Sequence, residues 1–267
     1  DFAVLNFADN TFSVFLGGVD AKGNTTFTQA TGSPFALPSN VSGPSAMTVA
    51  DFNGDGKLDL AITTVNRATL ANPATTTGSL VVLQGNGDGT FTEFTGSPIP
   101  VGKLPVAVAS GDLAGNAKAD LAVVNQTDNS VTILLNNGDG TFAAGPNSPL
   151  ATASTPMGIA IADFNQDGHA DIAVTSQDAN TIRVFLGVSA GLFTAAFEPP
   201  AGPNGTFPTA IVAANFVSGG FPDVAITNNI SGAAGDVTVV LSPANLFSAL
   251  GVSSAVQQPY PASEYVD

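Results

Sequence analysis

One short block, an acid followed by an apolar run, recurs five times, and recurrence at a nearly constant step constrains the fold more than any average property. Its copies begin at Asp1 (DFAVLN), Asp59 (DLAI), Asp120 (DLAVVN), Asp171 (DIAVTS) and Asp223 (DVAITN), about 50 to 60 residues apart. After each comes a second alternating run that reaches a Leu: SVFLG from Ser13, LVVLQG from Leu80, VTILLN from Val131, IRVFLG from Ile182 and VTVVLS from Val237. Alternation with a period of two predicts strands.

Two further runs complete the unit. An Asn-Gly or Asp-Gly turn leads to an aromatic, clearest as NGDGTF at Asn86 to Phe91 and Asn137 to Phe142. A last run starts at a proline and ends at Asp or Asn, from Pro44, Pro105, Pro156, Pro208 and, shorter, Pro261 (PASEYVD). Four strands in each of five units predict twenty strands, and the step matches a four-stranded propeller blade. The chain opens on the second strand of a unit and closes on a first strand. Residues 1–267 are therefore expected to form one β-propeller domain whose first and last strands share a blade, or else a window of a longer repeat array. The polar insertion from Arg67 to Thr77 is expected on one blade's rim, where insertions decorate binding faces or are tolerated as surface loops.

Composition agrees with an all-β chain. Of 21 acids only Glu93, Glu198 and Glu264 are Glu, and with 29 Gly and 18 Pro the charge belongs to turns and loops, not helices. At 267 residues and 44% hydrophobic the chain can bury a sizeable core. Six basic residues and a net charge of −15 argue against nucleic acid and anionic membrane surfaces as partners. The absence of cysteine excludes disulfides, thiolate metal sites and a Cys nucleophile, and no apolar stretch is long enough for a transmembrane helix.

The most specific motif lies between the proline-led run and the next Asp block. It reads Asp51-Phe52-Asn53-Gly54-Asp55-Gly56-Lys57-Leu58-Asp59 and Asp163-Phe164-Asn165-Gln166-Asp167-Gly168-His169-Ala170-Asp171. Oxygen side chains at positions 1, 3 and 5, Gly at 6 for the sharp turn and a main-chain carbonyl at 7 (Lys57, His169) make a hard-cation loop that suits Ca²⁺ better than Mg²⁺. An EF-hand would close with Glu at position 12; here the closing acid stands at position 9, Asp59 or Asp171, with strands on both sides.

With these loops in place the chain resembles the FG-GAP or VCBS repeats, the blades of integrin α-subunit propellers, over essentially its whole length. The resemblance implies a β-propeller with Ca²⁺ in each intact loop, and adhesion, ligand binding or scaffolding as the usual work. It also raises a seven-bladed ring as the alternative to five blades. The match is uneven: the loop from Asp112 to Asp120 carries Ala114 and Asn116 at positions 3 and 5 and is expected to bind weakly or not at all. The loop from Asn215 to Asp223, with Val217 and Gly219 inside, is expected to be a turn without metal.

Asp, Asn and Gly dominate turns whether or not metal binds, so an Asx-turn cluster is the plain alternative for every loop. His169 is the only histidine, and its place in the carbonyl slot leaves no base for a Ser-His-Asp site. No catalytic residue is assigned. The phenylalanines are expected to pack between blades. The expectation is a calcium-stabilised, non-catalytic binding, adhesion or scaffold module with two Ca²⁺ sites, secreted or at the cell surface, with a protein or glycan partner and a possible place in a larger multi-repeat protein. The alternative is a propeller enzyme acting on polysaccharide through paired carboxylates, for which few acids remain outside the loops.

Overall fold

Runs of Val, Ile, Leu and Thr separated by Asn, Asp and Gly turns fold as antiparallel strands, and the computed structural model describes them over residues 1–66, 77–198, 200–201, 206–216, 221–230, 235–240 and 260–261. The first sheet holds β1 (Phe2–Asn6), β2 (Thr11–Val19), β3 (Thr25–Gln29) and β4 (Phe35–Ala36). The second holds β5 (Pro44–Ala50), β6 (Asp59–Thr64), β7 (Thr77–Gly85), β8 (Phe91–Glu93) and β9 (Ile99–Lys103). The third holds β10 (Pro105–Gly111), β11 (Asp120–Asn125), β12 (Ser130–Asn136), β13 (Phe142–Ala144) and β14 (Leu150–Ala151). The fourth is β15 (Pro156–Ala162), β16 (Asp171–Ser176), β17 (Thr181–Ser189) and β18 (Leu192–Phe197). The fifth is β19 (Thr206–Ala214), β20 (Asp223–Ile230), β21 (Asp236–Val240) and β22 (Tyr260–Pro261). Among the described residues there is no helix.

Each sheet is a meander, and consecutive sheets stack face to face as blades of a β-propeller. The proline-led strands β5, β10, β15 and β19 pack side by side in that order along the inner edge. Hydroxyls tie them together: Ser45 Oγ donates to the Pro105 carbonyl at 2.7 Å, and Thr48 and Ser110 share a hydrogen bond of 2.9 Å. The Asp-headed strands β6, β11 and β16 are buried along all six residues. A neighbouring blade covers them on both sides, which is why they read as near-continuous apolar runs.

Four apolar clusters fill the spaces between successive blades. Phe12 and Val14 of the first blade meet Leu60, Ile62, Val81 and Leu83 of the second. Leu80 and Val82 of the second meet Leu121 and Val123 of the third. Val131 and Ile133 then meet Ile172 and Val174, and Ile182 and Val184 meet Val224 and Ile226. Each fully buried Leu, Ile or Val here stabilises by roughly 1.5–3 kcal/mol relative to exposure.

One feature departs from twenty plain strands. In the first three blades the outer strand is broken in two, so that β4, β9 and β14 continue where β3, β8 and β13 stop. At each break a serine hydroxyl accepts the unpaired ladder amide: Ser33 from Val14 (3.0 Å), Ser97 from Val82 (3.0 Å) and Ser148 from Ile133 (2.9 Å). At the end of the chain Tyr260 and Pro261 lie against Val237 and Asp236 of β21. Beyond Pro261, the run expected in one blade with β1 lies outside the described residues, as does the insertion at 67–76.

Candidate metal loops

The loops sought in the sequence join the first strand of a blade to the second. In the second blade Asp51 Oδ1 accepts from the Gly54 and Asp55 amides (2.7 and 3.2 Å), and its Oδ2 accepts from Gly56 (2.8 Å). Asn53 Oδ1 accepts from the Asp55 amide at 3.0 Å, and Asp55 Oδ1 from Lys57 at 2.9 Å. These are turns that short acidic and amide side chains make with their own backbone. Gly54 and Gly56 stand at φ of +75° and +81°, where a Cβ would be strained.

The fourth-blade loop repeats the arrangement. Asp163 Oδ1 and Oδ2 accept from Asp167 (3.1 Å) and Gly168 (2.9 Å), Asn165 Oδ1 accepts from Asp167 (3.0 Å), and Asp167 Oδ1 from His169 (2.9 Å). Asp55 and Asp167 are exposed, and Asp51, Asn53, Asp163 and Asn165 are half-buried. Lys57 is exposed and the His169 side chain half-buried.

Position 9 has a structural duty that spacing alone does not reveal. Asp59 is fully buried, with Oδ2 accepting from the Phe52 amide and Oδ1 from Gly85 at the end of β7, both at 2.8 Å. Asp171 does the same with Phe164 (2.9 Å) and Gly187 (2.8 Å). Asp120, in the loop that lacks position 3, accepts from Leu113, Ala114 and Asn136 (2.9, 2.8 and 2.7 Å), and Asp223 accepts from Phe216 (2.9 Å). Both sides of the staple are thus present at Asp59, Asp120 and Asp171, and its loop side at Asp223. The signal was in the sequence: Asp223 keeps its place although the loop before it has lost its inner oxygens.

Burial pushes the carboxyls of Asp59 and Asp120 above the ordinary range, against the pull of their amide donors. For Asp171 burial, with added repulsion from Asp167 and Asp163, raises the value to about 6. Asp55, exposed, is lowered, chiefly by the Lys57 amide. Gln84 on β7 also reaches Asp55, with Nε2 donating to Oδ2 at 3.1 Å; nothing in the repeat pattern marks it, because β17 has Leu186 near the same place.

The third-blade loop keeps its shape with fewer oxygens. Asp112 accepts from Asn116 and Ala117 (both 2.8 Å) and Asn116 from Lys118 (3.0 Å), with Ala114 at position 3 and Ala117 forced to φ +61°. In the fifth blade, 217–220 lie outside the described residues. Among the described residues no three or more acids, histidines or cysteines are already gathered round a common metal position. The other acids are dispersed: Glu198 pairs with Arg183 at 2.7 Å on the fourth blade, and Glu93 edges a cavity of about 260 Å³ lined by Phe12, Phe35 and Phe91. Glu264 lies outside the described residues. No described helix is long and apolar enough to cross a membrane.

Residues 43–83 match an FG-GAP repeat, and residues 112–174 and 163–226 match an FG-GAP-like repeat. No curated protein matches the chain. Among solved structures it is similar to BBS1N in complex with ARL6DN, at 12% identity and a TM-score of 0.49 over 88% of this chain and 63% of that one. It is also similar to an Aleuria aurantia lectin in complex with Fucα1-6GlcNAc, at 14% identity and a TM-score of 0.48 over 86% of this chain and 71% of that one. The chain thus spans less than two thirds of the chain it matches in the first of these structures.

Proposed function

Because this chain belongs to the FG-GAP repeat family, whose propellers are typically binding or adhesion modules and not enzymes, we propose that it is a non-catalytic binding or scaffold module whose second and fourth blades each take one Ca²⁺. The observation that carries the metal reading is the contrast between sister loops. The loop from Asp112 makes the same turn with Ala114 at position 3 and the neutral Asn116 at position 5, so the turn needs neither the oxygen of Asn53 and Asn165 nor the negative charge of Asp55 and Asp167. Carboxylates crowded where the fold does not require them repel one another unless a cation is present.

Asp51, Asn53, Asp55, the Lys57 carbonyl and Asp59 would hold one ion; Asp163, Asn165, Asp167, the His169 carbonyl and Asp171 would hold the other. All are oxygen donors, the set that Ca²⁺ takes. The amide bonds to Asp51 and Asp163 orient those carboxylates in advance and leave lone pairs free. Bound calcium would neutralise the rim and stiffen the turn between two strands. Sites that fill at the millimolar calcium found outside cells would suit a module that is secreted or on a cell surface. The partner is a protein or glycan that meets an acidic rim through basic groups or through the ions themselves.

Calorimetric titration of Ca²⁺ into EDTA-stripped protein should give two sites, one lost in Asp55→Ala and the other in Asp167→Ala. No binding heat, or unchanged stoichiometry in both variants, would leave the loops as turns only.

A further inference from the structure

Successive blades repeat one contact, in which a strand pair of one blade meets the aromatic-led strand of the next. Phe12 opposite Phe35 in the first blade corresponds to Leu80 opposite Ile99 in the second and Val131 opposite Leu150 in the third. From the following blade come Phe91, recurring as Phe142 and Phe193, and Glu93, whose place is taken by Ala144 and Ala195. The first contact therefore departs from its sisters at three places together: two aliphatic residues become phenylalanine and an alanine becomes glutamate.

Those departures converge on the cavity of about 260 Å³ between the first and second blades, which Leu37 and Leu83 line together with the three phenylalanines and Glu93. The ring centroids of Phe12, Phe35 and Phe91 lie 5.2, 5.6 and 5.8 Å from one another. Phe12 is buried, Phe35 and Phe91 are half-buried and Glu93 is exposed, so a carboxylate stands at the mouth of an aromatic pocket. Among the described residues Glu93 has no hydrogen bond or ion pair. A carboxylate beside phenyl rings favours a cation, which the ring faces attract as well. The lining side chains carry no other polar group, so a primary ammonium, with three N–H donors to satisfy, fits poorly. A quaternary ammonium has no such donors, and its methyl groups bury against rings and leucines. The volume suits a small head group better than a drug-sized ligand, and the net charge of −15 draws cations to the surface.

We propose that this cavity binds a quaternary ammonium head group, with Phe12, Phe35 and Phe91 as its aromatic wall and Glu93 as its counter-charge. The site shares no residue with the oxygen loops and needs no calcium.

The test is calorimetric titration of choline into the full chain in EDTA, beside its uncharged carbon isostere, neopentylcarbinol. Choline should saturate one site, and the isostere should bind at least ~10-fold more weakly. Glu93→Ala and Phe35→Ile install residues that the sister contacts already carry, and circular dichroism verifies that both variants fold. Choline binding should weaken about 2–5-fold in Glu93→Ala and about 3–10-fold in Phe35→Ile, with the isostere unmoved by the loss of Glu93. Tighter binding of a short peptide bearing trimethyllysine than of choline would assign the head group to a modified side chain, and the reverse to a free small molecule; both support the site. No saturable choline binding, equal binding of choline and isostere, or a Glu93→Ala variant that binds choline like wild type would each overturn the proposal.

Discussion

Replacing Asp120 with Ala isolates the staple at position 9 from any question of metal, because its loop lacks an oxygen side chain at position 3. The carboxylate accepts three backbone amides, and two of those bonds, to Leu113 and Asn136, are buried. Each orphaned buried amide costs about 1–3 kcal/mol, and removing a desolvated carboxylate returns part of the loss, so the net destabilisation is about 2–5 kcal/mol. Against a total of about 5–15 kcal/mol for a folded domain, that is a large fraction. Asp120→Asn keeps one acceptor oxygen for Leu113 and Ala114 but turns a donor toward the Asn136 amide, and should cost about 1–3 kcal/mol. Asp112→Ala, whose partners lie at the exposed rim, should cost under about 1 kcal/mol. Urea unfolding followed by far-UV circular dichroism would order the midpoints as wild type, Asp112→Ala, Asp120→Asn, Asp120→Ala, with slopes unchanged and the order the same in EDTA and Ca²⁺. Should Asp120→Ala unfold with wild type, or Asp112→Ala fall as far as it does, the claim that position 9 serves the fold is wrong.

Other outcomes follow from the same geometry. Supplying the missing features of the third loop, Ala114→Asn with Asn116→Asp and Ala117→Gly, should add one calcium site to the titration. Between its ordinary value of 3.8 and the folded value of about 6, Asp171 binds more protons folded than unfolded, so the metal-free protein should lose stability as pH rises through that window and level off above it. The full effect is at most about 3 kcal/mol, read as melting temperature against pH in EDTA. Calcium must displace that proton, so the fourth-blade site should bind more weakly at pH ~5 than at pH ~7, measured by calorimetry. Gly187→Ala would place a methyl 2.3 Å from the Ala170 carbonyl oxygen, a backbone atom with little room to yield, and should destabilise by about 2–4 kcal/mol in the urea assay.

The five Asp-headed blocks, the alternating strands and the turn residues between them are local properties, and strand periodicity and turn chemistry are local physics, so the sequence alone determined an all-β chain of propeller blades. The two nine-residue oxygen loops were legible for the same reason: all their donors lie within one turn. Tertiary structure decided what depends on partners far along the chain. The staple at Asp59 is visible only once Gly85 from the next strand lies beside it, and likewise Asp120 with Asn136. Ser33, Ser97 and Ser148 became ladder substitutes because the outer strand breaks where each sits, and their triplets Gly-Ser-Pro, Gly-Ser-Pro and Asn-Ser-Pro were the unread signal. Phe2 and Leu60 occupy equivalent places in their repeats and read alike as apolar core positions. Burial belongs to the neighbour as much as to the residue, so only the packed blades could distinguish the Leu that is covered from the Phe that is not.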